Sequence, residues 1–239
     1  MHIRYRTEAI FLKKQKRFEA DEYLIAYSKK FGKIGVTGKS IRKIKSKLRS
    51  SSELFCYSDI EFVRGKYYNI LTDSELVSSF SNIKSQLGKM AIAFKMANLL
   101  DSFLTEEEKD DNLWFFVKKS FYLLDEIKEA KKRDLESFYF YFSFKFLEIL
   151  GYKPEISKCV IDGNKKVESF SPRSGGLICE VCNKKNQDPF KVKITDKDRV
   201  FLKRVSKKKF EEFMDNCPEF DNLDELLDNY LALLPSRMS

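Results

Sequence analysis

Histidine is almost missing from this chain: His2, at the extreme N-terminus, is the single one among 239 residues. Without a second imidazole there is no cysteine–histidine or serine–histidine nucleophile pair and no histidine general base in the body of the chain. The carboxylates show no spacing that would gather catalytic metal ions, so the expectation is a protein that is not an enzyme. A carboxylate-based nuclease is the enzymatic alternative, and cleavage of labelled DNA in magnesium would reveal it. Long apolar runs are also missing. The two most apolar stretches, residues 90–100 and 137–150, are broken by Lys95, Lys145 and Glu148. Both fall short of the roughly 20 residues that cross a bilayer, and they read as core helices with no membrane partner. The N-terminus carries no apolar signal region, which points to a cytoplasmic protein. Cysteine is sparse and unevenly placed: Cys56 and Cys217 stand alone and three others cluster between 159 and 182. That distribution fits free thiols in a reducing compartment better than a disulfide framework.

The chain is rich, by contrast, in positive charge. Its 45 basic and 36 acidic residues give a formal net charge of +9. Residues 1–80 carry 17 basic and 9 acidic side chains, residues 81–150 carry 11 and 12, and residues 151–239 carry 17 and 15. Nearly all the excess is N-terminal, and a local positive field of this kind attracts polyanions through counterion release.

The basic N-terminal part alternates apolar and polar residues with period two. The pattern predicts strands over residues 5–13, 22–28, 33–38, 54–63 and 67–76. Five short strands in so short a span predict a small closed barrel of the OB type. Between the third and fourth strands, residues 39–49 hold Lys39, Arg42, Lys43, Lys45, Lys47 and Arg49 with no acid among them. Such a loop is either a solvated basic surface or a polyanion contact. Lys13, Lys14, Lys16, Arg17, Lys29, Lys30 and Lys33 elsewhere in the same module favour the second, because OB barrels bind single strands in basic grooves. Tyr5, Phe18, Tyr23, Tyr27 and Tyr67 offer rings on which bases could stack, although aromatics at strand spacing usually face the core. The segment Gly35-Val-Thr-Gly38-Lys39-Ser40 is similar to the end of a phosphate-binding loop, but Lys33 stands where its first glycine belongs. The residues after Ser40 lack the apolar face of a helix, so nucleotide hydrolysis is not expected.

Helical spacing takes over after residue 80, with helices predicted over residues 82–103, 112–129, 134–150, 196–214 and 223–234. The aromatic run from Phe138 to Phe146 reads as core, or otherwise as a hydrophobic partner site. Asp215, Glu219, Asp221, Asp224, Glu225 and Asp228 frame the last helix as a solvated face. The expected architecture is therefore α+β and multidomain. A five-stranded OB barrel for nucleic acid fills residues 1–80, and an α-helical bundle fills 81–239, with a small zinc-ribbon-like insert at 157–185.

Within that insert, Cys159-Val-Ile-Asp162 and Cys179-Glu-Val-Cys182 have the spacing of a zinc knuckle in which a carboxylate replaces one sulfur. A carboxylate oxygen reaches zinc about as closely as a histidine nitrogen does, so Cys159, Asp162, Cys179 and Cys182 could complete a four-coordinate site. With one thiolate fewer, packing alone could equally maintain the turn, and the sequence leaves both readings open.

Several segments together resemble the RecO family of bacterial recombination mediators, nearly end to end. They are Thr7-Glu-Ala-Ile-Phe-Leu-Lys13, the spacing of Glu19, Asp21 and Leu24, Gly32-Lys33, and Lys39-Ser-Ile-Arg42 with Lys45-Ser46. Further on come Leu150-Gly-Tyr-Lys-Pro154 and Phe170-Ser-Pro-Arg-Ser-Gly-Gly-Leu-Ile-Cys179. Ser40 stands where that family usually has glycine, and Asp162 where it has a second cysteine. The resemblance implies an OB domain, a helical domain and a zinc-ribbon-like insert with no catalytic centre. It also implies binding of single- and double-stranded DNA, annealing of complementary strands, contact with the single-strand-binding protein SSB, and cooperation with RecR to place RecA on gapped DNA, hence a nucleoid-associated cytoplasmic location. A protein adaptor acting through the helical part, with incidental DNA affinity, is the alternative.

Overall fold

The computed structural model describes residues 3–128, 131–185, 187–215 and 217–234. The chain packs as two compact units, Met1–Glu129 and Ala130–Ser239.

In the first unit, β1 (Arg4–Arg17), β2 (Asp21–Ser28), β3 (Gly32–Gly38), β4 (Tyr57–Arg64) and β5 (Asn69–Ser78) close into a barrel in the order β1-β2-β3-β5-β4. This is the five-stranded OB-like barrel that the period-two pattern predicts. The long β1 pairs with β4 through Arg4–Ile10 and with β2 through Ala9–Arg17, with a bulge between Phe11 and Lys13. Such a bulge bends one strand enough to serve both sides of a small barrel. A parallel contact between β3 and β5 at Val36 and Thr37 closes the circle. Phe11, Leu24, Ala26, Ile34, Val36, Ile60, Phe62 and Leu71 fill the interior. Ala9, Ile10, Phe11 and Leu12 are all buried, because α2 packs on the outer face of β1.

Three helices complete this unit: α1 (Ser81–Ser85), α2 (Leu87–Phe103) and α3 (Asp111–Glu126). The single helix expected over 82–103 is divided at Gln86, whose backbone is extended. Asp125 reaches across to accept a hydrogen bond from the Ile83 amide at 2.9 Å, and buried Lys89 donates to the Asp125 carbonyl at 2.9 Å. That bond satisfies one of the carbonyls left open at the end of α3.

A carboxylate ties α3 to the barrel. Glu8 on β1 accepts from Lys29 at 2.8 Å and from the Tyr57 hydroxyl, with Lys118 of α3 at 3.5 Å. Burial pushes the Glu8 carboxyl up, but the hydrogen bonds from Lys29 and Tyr57 and the charge of Lys118 outweigh it, and its pKa falls to about 2 from 4.5. A carboxyl group depressed on folding stabilises the native state above its unfolded pKa and loses that contribution as pH falls through the folded value. Glu8→Gln is therefore expected to cost about 2 kcal/mol at neutral pH, after allowance for its partial exposure. Thermal melts between pH 6 and 2 check this: the parent should lose stability more steeply than the variant below pH 4.5, and parallel acid profiles would refute it.

In the second unit, α4 (Lys132–Ile149) carries the aromatic run. Phe138, Phe140, Phe142, Phe144 and Phe146 are all buried, so the stripe is core. Around α4 lie α6 (Asp196–Lys207), α7 (Phe210–Met214) and α8 (Leu223–Leu233), with edge-to-face contacts from Phe138 to Phe210 and from Phe140 to Phe201. The helix expected over 196–214 is interrupted at Lys208, where the backbone turns extended. Between α4 and α6 the chain builds a small three-stranded sheet from β6 (Ser169–Ser171), β7 (Gly176–Ile178) and β8 (Val192–Lys193), and α5 (Glu180–Lys185) comes directly after β7. Among the described residues, no helix is long and apolar enough to cross a membrane.

Candidate functional site

The first unit presents a cationic surface at one end of its barrel. Strand β1 ends at Arg17, and the turn to β2 carries Phe18, which is 77% exposed. The loop of residues 39–49 is fastened beside this turn. Ser40 donates its amide to Asp21 at 2.7 Å, Arg42 donates its amide to the Ala20 carbonyl at 3.0 Å, and the Arg42 guanidinium reaches the Glu19 carbonyl at 2.9 Å. Ile41 is buried and Leu48 packs against the barrel core, so two of the loop's three apolar residues hold it from beneath, while Ile44 is exposed. Lys39, Arg42, Lys43, Lys45, Lys47 and Arg49 consequently all project into solvent. None has a carboxylate partner among the described residues, and Lys16 and Arg17 end the strand that leads into the turn to which the loop is fastened.

The remaining basic residues named from the sequence are engaged elsewhere. Lys13 and Lys33 both bind Asp101 of α2, at 2.7 Å and 3.4 Å, and Lys14 lies 3.1 Å from both Glu22 and Glu53. Lys29 serves Glu8, while Lys30 is exposed at the opposite end of β2 from the cationic turn. Among the aromatics proposed for stacking, Tyr27 is buried and Tyr5 is partly buried against Phe31 and Phe62. Phe18 and Tyr67 are open, Tyr67 being 80% exposed.

The β4–β5 hairpin adds residues that strand patterning missed. Arg17 lies 5.1 Å from the ring of Tyr68 and 5.7 Å from that of Phe18, while Lys66 lies 5.2 Å from the ring of Tyr67. These contacts hold cations and rings together as composite platforms. A cleft of about 670 Å³ is lined by Arg17, Lys66, Tyr67 and Tyr68 together with Tyr23 and Gly35. A Cβ on Gly35 would stand 1.9 Å from the Tyr23 hydroxyl, so glycine there leaves room for the Tyr23 ring and any larger residue would push that ring aside. The available signal was the cation–aromatic run Arg64-Gly-Lys-Tyr-Tyr68 around a turn glycine.

The second unit gathers four acidic groups. Cys159 sits on a turn closed by its amide to the Asn164 carbonyl at 2.7 Å and by the Gly163 amide back to the Cys159 carbonyl at 2.9 Å. Cys179 comes just after β7 and Cys182 lies on the first turn of α5. The Sγ atoms of Cys179 and Cys182 approach Asp162 Oδ2 at 3.3 Å and 3.4 Å. One ligand atom from each of the four residues lies within 4.8 Å of every other, a cluster that could hold a metal ion. Burial, reinforced by hydrogen bonds with Cys179 and Asp162, pushes the Cys182 thiol up to about 12. Hydrogen bonds from Cys159, the Asn164 amide and Cys179 hold the Asp162 carboxyl well below the usual carboxylate range.

Residues 1–80 match the family described as Recombination protein O N terminal, and residues 84–234 match Recombination protein O C terminal. The chain belongs to the RecO family of DNA repair proteins. It is 37% identical over 181 residues to the DNA repair protein RecO of Dehalococcoides mccartyi, a match covering 74% of this chain and 70% of that protein. The RecO of Caldanaerobacter subterraneus subsp. tengcongensis is 30% identical over 184 residues, covering 77% of this chain and 73% of its own. That of Alkaliphilus metalliredigens is 26% identical over 239 residues, covering 98% and 95%. The RecO resemblance read from Thr7–Lys13, the basic loop and the Phe170–Cys179 segment is thus borne out, as is the OB-like barrel followed by helices with a Cys/Asp cluster in an insert.

Proposed function

We propose that this chain is a recombination mediator that makes and breaks no covalent bonds. It binds single- and double-stranded DNA, anneals complementary strands, engages SSB, and acts with RecR to place RecA on SSB-coated DNA, in the cytoplasm at the nucleoid. Residues 1–80 are the nucleic-acid-binding part, and residues 81–239 are the helical part with its knuckle-like insert at 157–185. One observation carries this reading: the loop that bears the exposed cations of residues 39–49, without carboxylate partners among the described residues, is fastened to the turn of residues 19–21 that follows Lys16, Arg17 and the open ring of Phe18 in the chain.

Annealing requires a surface that screens two phosphate backbones while leaving base edges free to pair, and a set of solvent-facing cations does that by releasing counterions. Of the thirteen basic residues named from the sequence, Lys16, Arg17, Lys39, Arg42, Lys43, Lys45, Lys47 and Arg49 are the phosphate contacts of this reading. Lys13, Lys14, Lys29 and Lys33 hold the barrel to its helices and strands, and Lys30 is peripheral. The cysteine and aspartate cluster holds zinc. Zinc–sulfur distances of about 2.3 Å in a tetrahedron put ligands roughly 4 Å apart, which four atoms within 4.8 Å accommodate. When bound, the metal would pin the turn of Cys159 to the start of α5 and serve the fold alone.

The test is the affinity for labelled single-stranded DNA across a salt series. Binding that weakens steeply with salt is expected. Weak or salt-indifferent binding would instead favour an adaptor acting through its helical unit.

A further inference from the structure

We propose that the cleft between the β1–β2 turn and the β4–β5 hairpin selects single-stranded over duplex DNA by setting a cationic, aromatic side against a fixed acidic rim. The inference rests on the DNA-binding reading above and adds to it the form of DNA that this cleft takes.

Two kinds of charge line the cleft. Arg17 and Lys66 are cations without a carboxylate partner among the described residues, and each is paired with an exposed ring. Glu106 and Glu107 line the same cleft from the segment that joins α2 to α3. That segment is built into the barrel rim. Glu107 donates its amide to the Lys33 carbonyl at 2.9 Å, and Glu106 forms a parallel bridge with Lys33. The Glu108 carbonyl oxygen passes within 2.0 Å of where a Cβ on Gly32 would stand, so only glycine admits it. Glu107 itself adopts a left-handed φ of 60°, a conformation that non-glycine residues keep only when their surroundings enforce it. Arg64 neutralises Glu107 at 3.1 Å, which leaves Glu106 as the acid without an ion pair among the described residues. Tyr23 stands between the two sides: burial raises its phenol, Glu106 raises it further, and Arg17 lowers it.

A single strand satisfies both sides at once. Its one backbone can face Arg17 and Lys66, its bases can stack on Tyr67 and Tyr68, and carboxylate oxygens can accept from base N–H groups. A duplex cannot. Its second backbone lies across a groove of about 6 to 12 Å, close to the Debye length of about 8 Å at physiological salt, so it would meet the carboxylate of Glu106 only partly screened.

The experiment compares anisotropy titrations of a labelled oligonucleotide and of its duplex on the parent protein, Glu106→Gln, Glu106→Lys and Tyr67→Leu. Glu106 is exposed and its backbone holds the bridge, so both changes keep the rim in place. Glu106→Gln should raise duplex affinity about threefold and Glu106→Lys about tenfold, each with a smaller gain on the single strand. Tyr67→Leu should weaken single-strand binding about tenfold, and duplex binding much less. Equal shifts on both forms of DNA, or none, would overturn the selection while leaving DNA binding in place. A parent protein that binds neither form would overturn the DNA-binding reading and this inference together.

Discussion

Reversing the charge of Arg42 and Lys45 together should lower the affinity for single-stranded DNA by at least about tenfold at low salt and flatten its salt dependence. Each phosphate contact on a single strand contributes about 0.7 to the slope of log affinity against log salt, so the loss of two contacts lowers that slope by about 1.4. Both side chains are solvent-facing; the variant gives up the bond from the Arg42 guanidinium to the Glu19 carbonyl, but Ile41, Leu48 and the amides of Ser40 and Arg42 keep the loop in its seat, so the change falls mainly on charge. Reversal of Lys13 and Lys33 is the informative contrast. Those two bind Asp101, and reversing them should lower the melting temperature while leaving the salt slope close to that of the parent. Unchanged affinity of the Arg42 and Lys45 variant at every salt concentration would remove residues 39–49 from the interface.

Metal content gives the second large effect. The protein purified without chelator should carry about one zinc per chain, and Cys182→Ser should lose it, because structural zinc depends on all four ligands closing one tetrahedron. Thiolates hold zinc more tightly than carboxylates in such knuckles, so Asp162→Cys should retain the metal against a chelator concentration that strips the parent. Chelation should lower the melting temperature of the parent, since the cluster ties the turn, the end of β7 and α5 together, adding to the backbone bonds from Val160 to Leu177 and from Asn183 to Cys179. Zinc well below one per chain, with a melting temperature indifferent to chelator, would mean that packing of Cys159, Cys179 and Cys182 maintains the turn.

Much of this molecule was legible from local pattern. Period two marked all five barrel strands, because alternate residues of a half-buried strand face the core. Helical spacing marked the longer helices of both units but not the short α5, and it ran through the breaks at Gln86 and Lys208. Apolar residues on either side of such a break keep the same average spacing, so nothing local announces it. The pairs Cys159–Asp162 and Cys179–Cys182 were visible because each lies on one turn, and a turn brings residues three apart together whatever the rest of the chain does. The cleft was harder to see. Its members come from β1, β2, β3, the β4–β5 hairpin and the segment after α2, and no short window of sequence contains them.

The sequence by itself determined that the N-terminal eighty residues form a basic barrel, that the middle and end are helical, and that four metal-capable groups sit at knuckle spacing. Periodicity and composition are local quantities, and those features depend on nothing else. The tertiary structure decided which cations remain for a partner. Lys13 meets Asp101 from 88 positions away and Lys118 meets Glu8 from 110, while Arg17 and Lys66 meet aromatic rings. Whether a charged side chain is paired inside the fold or left to solvent depends on which acid packing brings within reach, and that pairing exists only once the barrel has closed and the helices have docked on it.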